Sequence, residues 1–319
     1  AHMIAEVQLW GRTIGAVSLE TGRDVAAFQY DPAFAKSGIE LSPLVMPLSD
    51  QVYEFPSLPR NTFHGLSGLL ADSLPDKFGN ALIDAWLATQ GRPAEDFGAI
   101  ERLCYTGSRG MGALEYVPAL GPKPRKAAAV EIDTLVRLAS DVLIHRGDLR
   151  GHFHETGKAK ALQDILRVGT SAGGARAKAV IAWNRETNEV RSGQIAAGDG
   201  FDHWLLKFDG VTGNKDKELL DPKGYGAIEY AYHLMAKAAG ITMSECRLMV
   251  ENGRRHFMTR RFDRLPGGGK LHMQSLCALA HFDFNQAGAY AYEQALLAIA
   301  QLNLPMAAVE EQFRRMVFN

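Results

Sequence analysis

The chain has 319 residues, enough for about two domains and for a core that needs no disulfide or metal staple. Its 35 Lys and Arg against 36 Asp and Glu give a formal charge of −1, which argues against a protein that binds nucleic acid by bulk phosphate attraction. Hydrophobic content of 46% and charged content of 22% exclude wholesale disorder, and no apolar run reaches the length of a membrane span.

Ala1-His2-Met3 reads as a tag-cleavage remnant, with no signal peptide after it. Alternation then predicts a hairpin, Val7 to Trp10 and Ile14 to Leu19 around Gly11-Arg12, and a third strand over Ala26 to Tyr30. A helical section is expected from Gly68 through Pro75. A second helix, Lys77 to Leu87, would bury Phe78, Leu82, Ile83 and Trp86 on one face. Gly110-Met111-Gly112 reads as a turn into a strand ending at Pro118. Pro118 to Lys126 is the best linker in the chain, so the first boundary is placed there. Helical spacing returns over Ile132 to Ile144 and Lys158 to Arg167. The run from Val168 to Trp183 reads as a small-residue loop leading into a strand, with a return strand over Glu189 to Gln194. His203 to Phe208 is another strand, Tyr225 to Ala239 a helix stopped by Gly240, and Phe257 to Phe262 a strand. Helical patterning dominates from Tyr292 onward. Cys104, Cys246 and Cys277 lie far apart, without a CxxC pair, which fits a reducing cytoplasm rather than a zinc or disulfide scaffold.

The small-residue loop is the first chemical signal. Gly169, Gly173 and Gly174 surround Thr170 and Ser171, and backbone without Cβ atoms can approach phosphate oxygens closely. The spacing of Gly169 and Gly174 is that of a Walker A loop, but Ala175-Arg176 stand where Lys and Ser or Thr are required, so a P-loop NTPase fails. Taken alone, the loop reads as a plain turn before it reads as a phosphate cradle. Lys207, in the apolar strand Trp204 to Phe208, is either an edge lysine reaching water or the strand lysine of a kinase fold. In the second case it grips phosphates and pairs with a helical glutamate. Glu229 is the matching acid, in the next helix. Loop, lysine and glutamate come in kinase order. Arg260 to Arg264 stands where two lobes would join and where backbone groups would read an adenine edge; a salt-bridged strand end is the plain alternative. His145-Arg146-Gly147-Asp148 imitates a catalytic loop but precedes the glycines, so it reads as a turn. His152 and His154 have no apparent third metal ligand.

These segments resemble the HipA family of bacterial toxin serine/threonine kinases. The resemblance is carried by Gly68 to Pro75, Gly112 to Tyr116, Gly169 to Ala179, Trp204 to Phe208, Glu229, Arg261-Phe262-Asp263-Arg264 and His281 to Asn285, in family order. It implies an α+β, two-lobed, protein-kinase-like fold. Residues 1–118 would be an N-terminal β-rich subdomain and 119–265 a kinase N-lobe-like region. Residues 266–319 would begin a helical C-lobe that is incomplete. It implies ATP and Mg2+ as cofactors. Nucleotide would be held by Gly169, Ser171, Gly173, Gly174, Lys207 and Glu229, by the backbone at Arg260 and Phe262, and by Gln274. Ser171 would be the autophosphorylation site that silences the kinase. The implied function is the toxin of a type II toxin–antitoxin system, phosphorylating a translation component of the aminoacyl-tRNA synthetase class. Its partner would be a helix-turn-helix, HipB-like antitoxin, through which alone it meets DNA. The protein would be cytoplasmic, with no membrane contact.

One departure qualifies this. In the family, a segment like Arg314-Arg315-Met316-Val317-Phe318-Asn319 leads into the catalytic aspartate loop and then the metal-binding aspartate, and neither is present. The 319 residues alone are therefore expected to be inactive. The alternative is a catalytically dead binding module, or one subunit of a split kinase, that docks an antitoxin or partner. A small-molecule kinase is a third reading, since the lobe parts do not identify the acceptor.

Overall fold

The computed structural model describes residues 3–122, 129–145, 162–166, 168–169, 176–212 and 223–319. Ser171, Gly173, Gly174, His152 and His154 lie outside the described residues, as does half of the expected helix over Lys158 to Arg167, whose described part, 162–166, is helical.

β1 (Met3–Leu9) and β2 (Arg12–Leu19) form the expected hairpin. Its turn falls one residue earlier than expected, because Arg12 pairs with Leu9; the turn residues Trp10 and Gly11 both have positive φ, the backbone handedness that matches strand twist. β3 (Ala27–Tyr30), β4 (Val52–Tyr53) and β5 (Leu114–Val117) complete an antiparallel sheet in the order β4-β3-β2-β1-β5. Among the helices that follow β4, α1 (Arg60–Phe63) and α2 (Gly68–Ala71) are single turns. The helix expected through Pro75 stops at Ala71. Pro75 disfavours continuation, and the Asp72 carboxylate instead accepts from the Ser275 N–H at 2.6 Å and the Ser275 hydroxyl at 2.7 Å. α3 (Lys77–Thr89) starts where the Asp76 carboxylate accepts the Gly79 N–H at 2.7 Å, a cap worth about 1 kcal/mol. α4 (Ala99–Thr106) covers the first sheet. Val7, Val17, Phe28, Leu69, Leu103 and Tyr116 are the centre of that core.

The second sheet is also five-stranded and antiparallel, in the order β7-β6-β8-β10-β9. Its strands are β6 (Lys178–Asn184), β7 (Val190–Ser192), β8 (Phe201–Lys207), β9 (Cys246–Glu251) and β10 (Arg254–Arg260). α5 (Ile132–Ile144) and α3 bury one face, where Leu82, Leu135, Val142, Trp204 and Leu206 pack. Each such side chain, taken fully from water, contributes about 1.5–3 kcal/mol. Although α3 precedes residue 118, it belongs to this second core, so one core draws on both sides of the expected linker. α6 (Tyr225–Ala238) lies against β9 and β10. The architecture is α+β.

The chain ends in α7 (Leu276–Ala280), α8 (Tyr292–Gln301) and α9 (Met306–Phe318). α7 packs on α2 so closely that a Cβ on Gly68 would sit 2.2 Å from the Ala278 carbonyl oxygen. There the Gly68 N–H donates to His281 Nε2 at 3.0 Å, which requires a neutral acceptor ring. Burial pulls the His281 imidazole down to about 4. The unfolded chain takes up this proton below about pH 6.5; the folded protein does not until the lower value. This site's stability is thus fully present above about pH 6.5 and is lost as pH falls through the window. His281→Gln should flatten part of the acid limb in urea melts compared at about pH 5 and about pH 8. His64, His203, His233, His256 and His272 are lowered by burial in the same direction.

Candidate functional site

In β8, side chains alternate across the sheet. Trp204 and Leu206 are buried against α3 and α5, so Lys207 faces α6. That helix presents Gly226, Glu229, His233 and Ala236 toward the sheet, at helical spacing, with Gly226, His233 and Ala236 buried. Gly226 permits the approach, since a Cβ there would lie 2.0 Å from the Arg255 carbonyl oxygen. The first turn of α6 is held by Asp209, which accepts the N–H groups of Gly224 at 2.9 Å and Arg255 at 3.2 Å. The result is an ion pair from Lys207 Nζ to Glu229 Oε2 at 2.6 Å. About a third of each side chain is exposed (35% and 28%), so the pair is reachable from solvent. Phe257, opposite Lys207 in β10, places its ring centroid 5.8 Å from the ammonium. Glu229 and Phe257 also line a groove of about 550 Å³ between α6, α8 and α9.

A second lysine joins this site that sequence reasoning missed. Lys178 stands directly opposite Lys207 in the β6–β8 ladder and is 1% exposed. Its ammonium is bonded to the Asp76 carboxylate at the start of α3. Burial pulls Lys178 below the ordinary lysine range, against the opposing pull of Asp76, and the neighbouring Lys207 adds to the lowering. The legible signal was a lysine between Ala177 and Ala179 in an otherwise apolar strand; the partner, 102 residues away in sequence, had none.

The remaining expected residues divide. Arg260 is the last residue of β10, and its pairing with Trp204 puts it three residues along the ladder from Lys207, roughly 10 Å; Phe262 follows two residues past the strand end. The Arg260 side chain is exposed and bridges to Asp202 at 2.6 Å, which is the salt-bridged strand end. The Arg260 N–H donates to the Glu245 carbonyl at 2.8 Å, and the Phe262 ring is 59% exposed. Gly169 is buried for packing: a Cβ would meet Leu82 Cδ1 at 2.0 Å, and its carbonyl accepts Gln194 Nε2 at 2.7 Å. Gln274 is not brought to Lys207; its amide donates to Ser42 Oγ at 3.2 Å.

The Arg261-Phe262-Asp263-Arg264 segment is a buried clamp as well as a junction. Asp263, fully buried, accepts from Arg261 Nε at 2.9 Å and Nη2 at 2.6 Å, Arg264 Nη1 at 2.8 Å and the Gly112 N–H at 2.7 Å. Arg264 in turn donates to the carbonyls of Gly110 and Gly112, both at 2.8 Å. Burial would raise the Asp263 carboxyl, but its bonds to Arg261, with the nearby Arg264, hold it below the usual range.

Two family models match the sequence, the HipA N-terminal domain over residues 5–117 and the HipA-like C-terminal domain over residues 170–319. The chain belongs to the HipA family. Among solved structures it is similar to one of the Shewanella oneidensis MR-1 toxin–antitoxin system HipA, HipB and its operator DNA complex. The TM-score is 0.61 at 17% identity, covering 99% of this chain and 68% of that one. The two-sheet HipA fold is thus shared at low identity. A search of curated proteins finds no match. Among the described residues, no group of three or more His, Cys, Asp or Glu is placed to hold a metal ion. No described helix is long and apolar enough to cross a membrane.

Proposed function

We propose that the protein is the ATP-dependent serine/threonine kinase toxin of a toxin–antitoxin pair. The observation that carries this reading is the 2.6 Å pair between Lys207 on a central strand and Glu229 on the helix after it. A strand lysine held by a helical carboxylate is the device that orients an ammonium toward nucleotide phosphates. Arg260, at the strand end and three residues along the ladder, is roughly 10 Å from Lys207, a separation that suits ATP lying along β8 and β10. Ser171 is the proposed autophosphorylation site, a translation component of the aminoacyl-tRNA synthetase class the proposed substrate, and a HipB-like DNA-binding antitoxin the proposed partner. The described residues offer no metal-binding group, so no step is assigned to magnesium here. In the resemblance, the catalytic base and metal ligands follow a segment like Arg314 to Asn319.

The test compares phosphate incorporation from labelled ATP by these residues and by a protein continuing past Asn319. Activity only in the longer protein is expected, with phosphate on Ser171 by mass spectrometry and none there in Ser171→Ala. Activity in neither supports the second reading, a binding module or split-kinase subunit.

A further inference from the structure

A strand at the end of a sheet presents backbone N–H and C=O groups that lack a ladder partner. Native proteins blunt such edges with short strands, Pro, Lys, bulges or a covering segment. The described residues form two open sheets and so four edges. β4 has 2 residues, and β5 has 4 and runs into Pro118. β7 is covered at Val190, whose carbonyl accepts the Val130 N–H at 2.9 Å. β9 is the exception. Its 6 residues pair with β10 in unbroken register and include no Pro, Lys or Gly. Among the described residues no strand lies on its outer side, and Val250 within it is 69% exposed.

The charges of β9 say what fits there. Arg247 and Glu251 stand two residues either side of Met249, so all three share one face of the sheet. Arg247 Nε is held by Glu245 at 2.7 Å, and the Glu251 carboxylate by Arg254 Nη2 at 2.7 Å. Both side chains still reach solvent, 42% and 23% exposed. When two copies of one strand pair antiparallel, the two-fold axis passes through a residue, because directly opposite side chains must share a face. An axis at Leu248 sets Glu245 against the second copy's Glu251, a destabilising pair of like charges. An axis at Val250 sets Arg247 against Gly253, in the turn where Asn252 and Gly253 both have positive φ and the strand has ended. An axis at Met249 sets Arg247 against Glu251 twice and Leu248 against Val250 twice. Only that register joins opposite charges.

We infer that β9 is a self-association edge, on which a second copy of this chain adds its own β9 antiparallel, centred on Met249. The two five-stranded sheets then run on as one. A groove of about 530 Å³ lined by Ile132, Trp183, Met249 and Met258 opens on the face that carries Met249, and the second copy's Met249 comes to its rim. The inference does not depend on the nucleotide reading proposed above.

The test is sedimentation equilibrium of the full chain over a concentration series. An interface built on one short edge is at the small end of the size range, so a reversible dimer of micromolar affinity is expected. Val250→Lys changes an exposed side chain and puts a gatekeeper charge on the edge. It should weaken the dimer about tenfold or more and leave the thermal midpoint of the monomer unchanged. Arg247→Glu and Glu251→Arg should each weaken association, and the double variant should restore it, because the exchanged charges face each other again. Register is read by cross-linking. Directly opposite Cα atoms lie about 4.5–5.5 Å apart, within disulfide reach. In Met249→Cys, two thiols form one S–S bond while their two electrons and two protons pass to added diamide, reducing its N=N bond. Peptide mapping should find the two position-249 peptides joined. In Val250→Cys the paired positions are 250 and 248, so two position-250 peptides should not join. Circular dichroism checks the fold of each variant, and the wild-type and Val250→Lys measurements stand without the cysteine variants. A monomer at every concentration overturns the inference and leaves the edge to a strand from a different protein. A dimer unmoved by Val250→Lys, or one that joins at position 250 and not at 249, overturns it as well.

Discussion

Asp263→Ala destabilises the protein by about 3–5 kcal/mol, because it leaves two arginines in the interior without their carboxylate. Arg261 and Arg264 are 1% and 9% exposed at the side chain, and Asp263 is 0% exposed. The substitution also strips the Gly112 N–H of its acceptor, so the turn leading into β5 loses its tie to the end of β10. The thermal midpoint and the urea midpoint should both fall. Asp263→Asn, which keeps the shape and loses the charge, should fall by less. A pH series separates charge from shape. The carboxylate's folded pKa is depressed, so its contribution is complete above the unfolded value of about 3.9 and is lost as pH falls through the folded one. Unchanged midpoints in Asp263→Ala would remove the clamp from this account.

Lys207→Ala, in a protein continuing past Asn319, should reduce autophosphorylation by roughly 10²–10³-fold, the usual effect of deleting one preorganised group that stabilises developing charge. Its fold should hardly notice. The Lys207–Glu229 pair is about a third exposed, and ion pairs in that setting contribute about 0–1 kcal/mol. Lost phosphate on Ser171 with an unshifted thermal midpoint is therefore the expected combination. Glu229→Gln should lie between wild type and Lys207→Ala, since the lysine keeps a hydrogen-bond partner but loses its fixed direction. Normal phosphorylation in Lys207→Ala would remove the kinase reading, and a collapse of the midpoint would mark Lys207 as structural.

Much of this was legible before coordinates because periodicity carries it. The hairpin, α3, α5, α6 and the strand holding Lys207 all follow from apolar spacing. Lys207 itself stood out as a charge in an apolar strand, and Glu229 as an acid in the helix after it. What escaped was short or distant. α1 and α7 are 4 and 5 residues long, too brief for a helical period to show. β9 is an edge strand in which Met249 breaks the alternation of apolar and polar residues. Asp76 and Lys178 meet across 102 residues, and nothing local marks either as the other's partner. Arg261, Asp263 and Arg264 were visible as a motif, but their burial around Gly110 and Gly112 depends on a contact 151 residues away in sequence. Gly169 was read for its chemistry, whereas the side chain that explains it is Leu82 of α3, with α4, β5 and α5 between them in the chain.

The close seat of α2 on α7 constrains how this family can evolve. Gly68 tolerates no side chain under Ala278, and Thr62 nearby is bonded to Asp283 and Asn285. A recombination event that exchanged the front portion for that of a paralogue would inherit a mismatched joint unless both faces travelled together. The two portions must therefore diversify in step, and chimeras cut between them should fail unless residues around 278–285 are transplanted with the incoming piece.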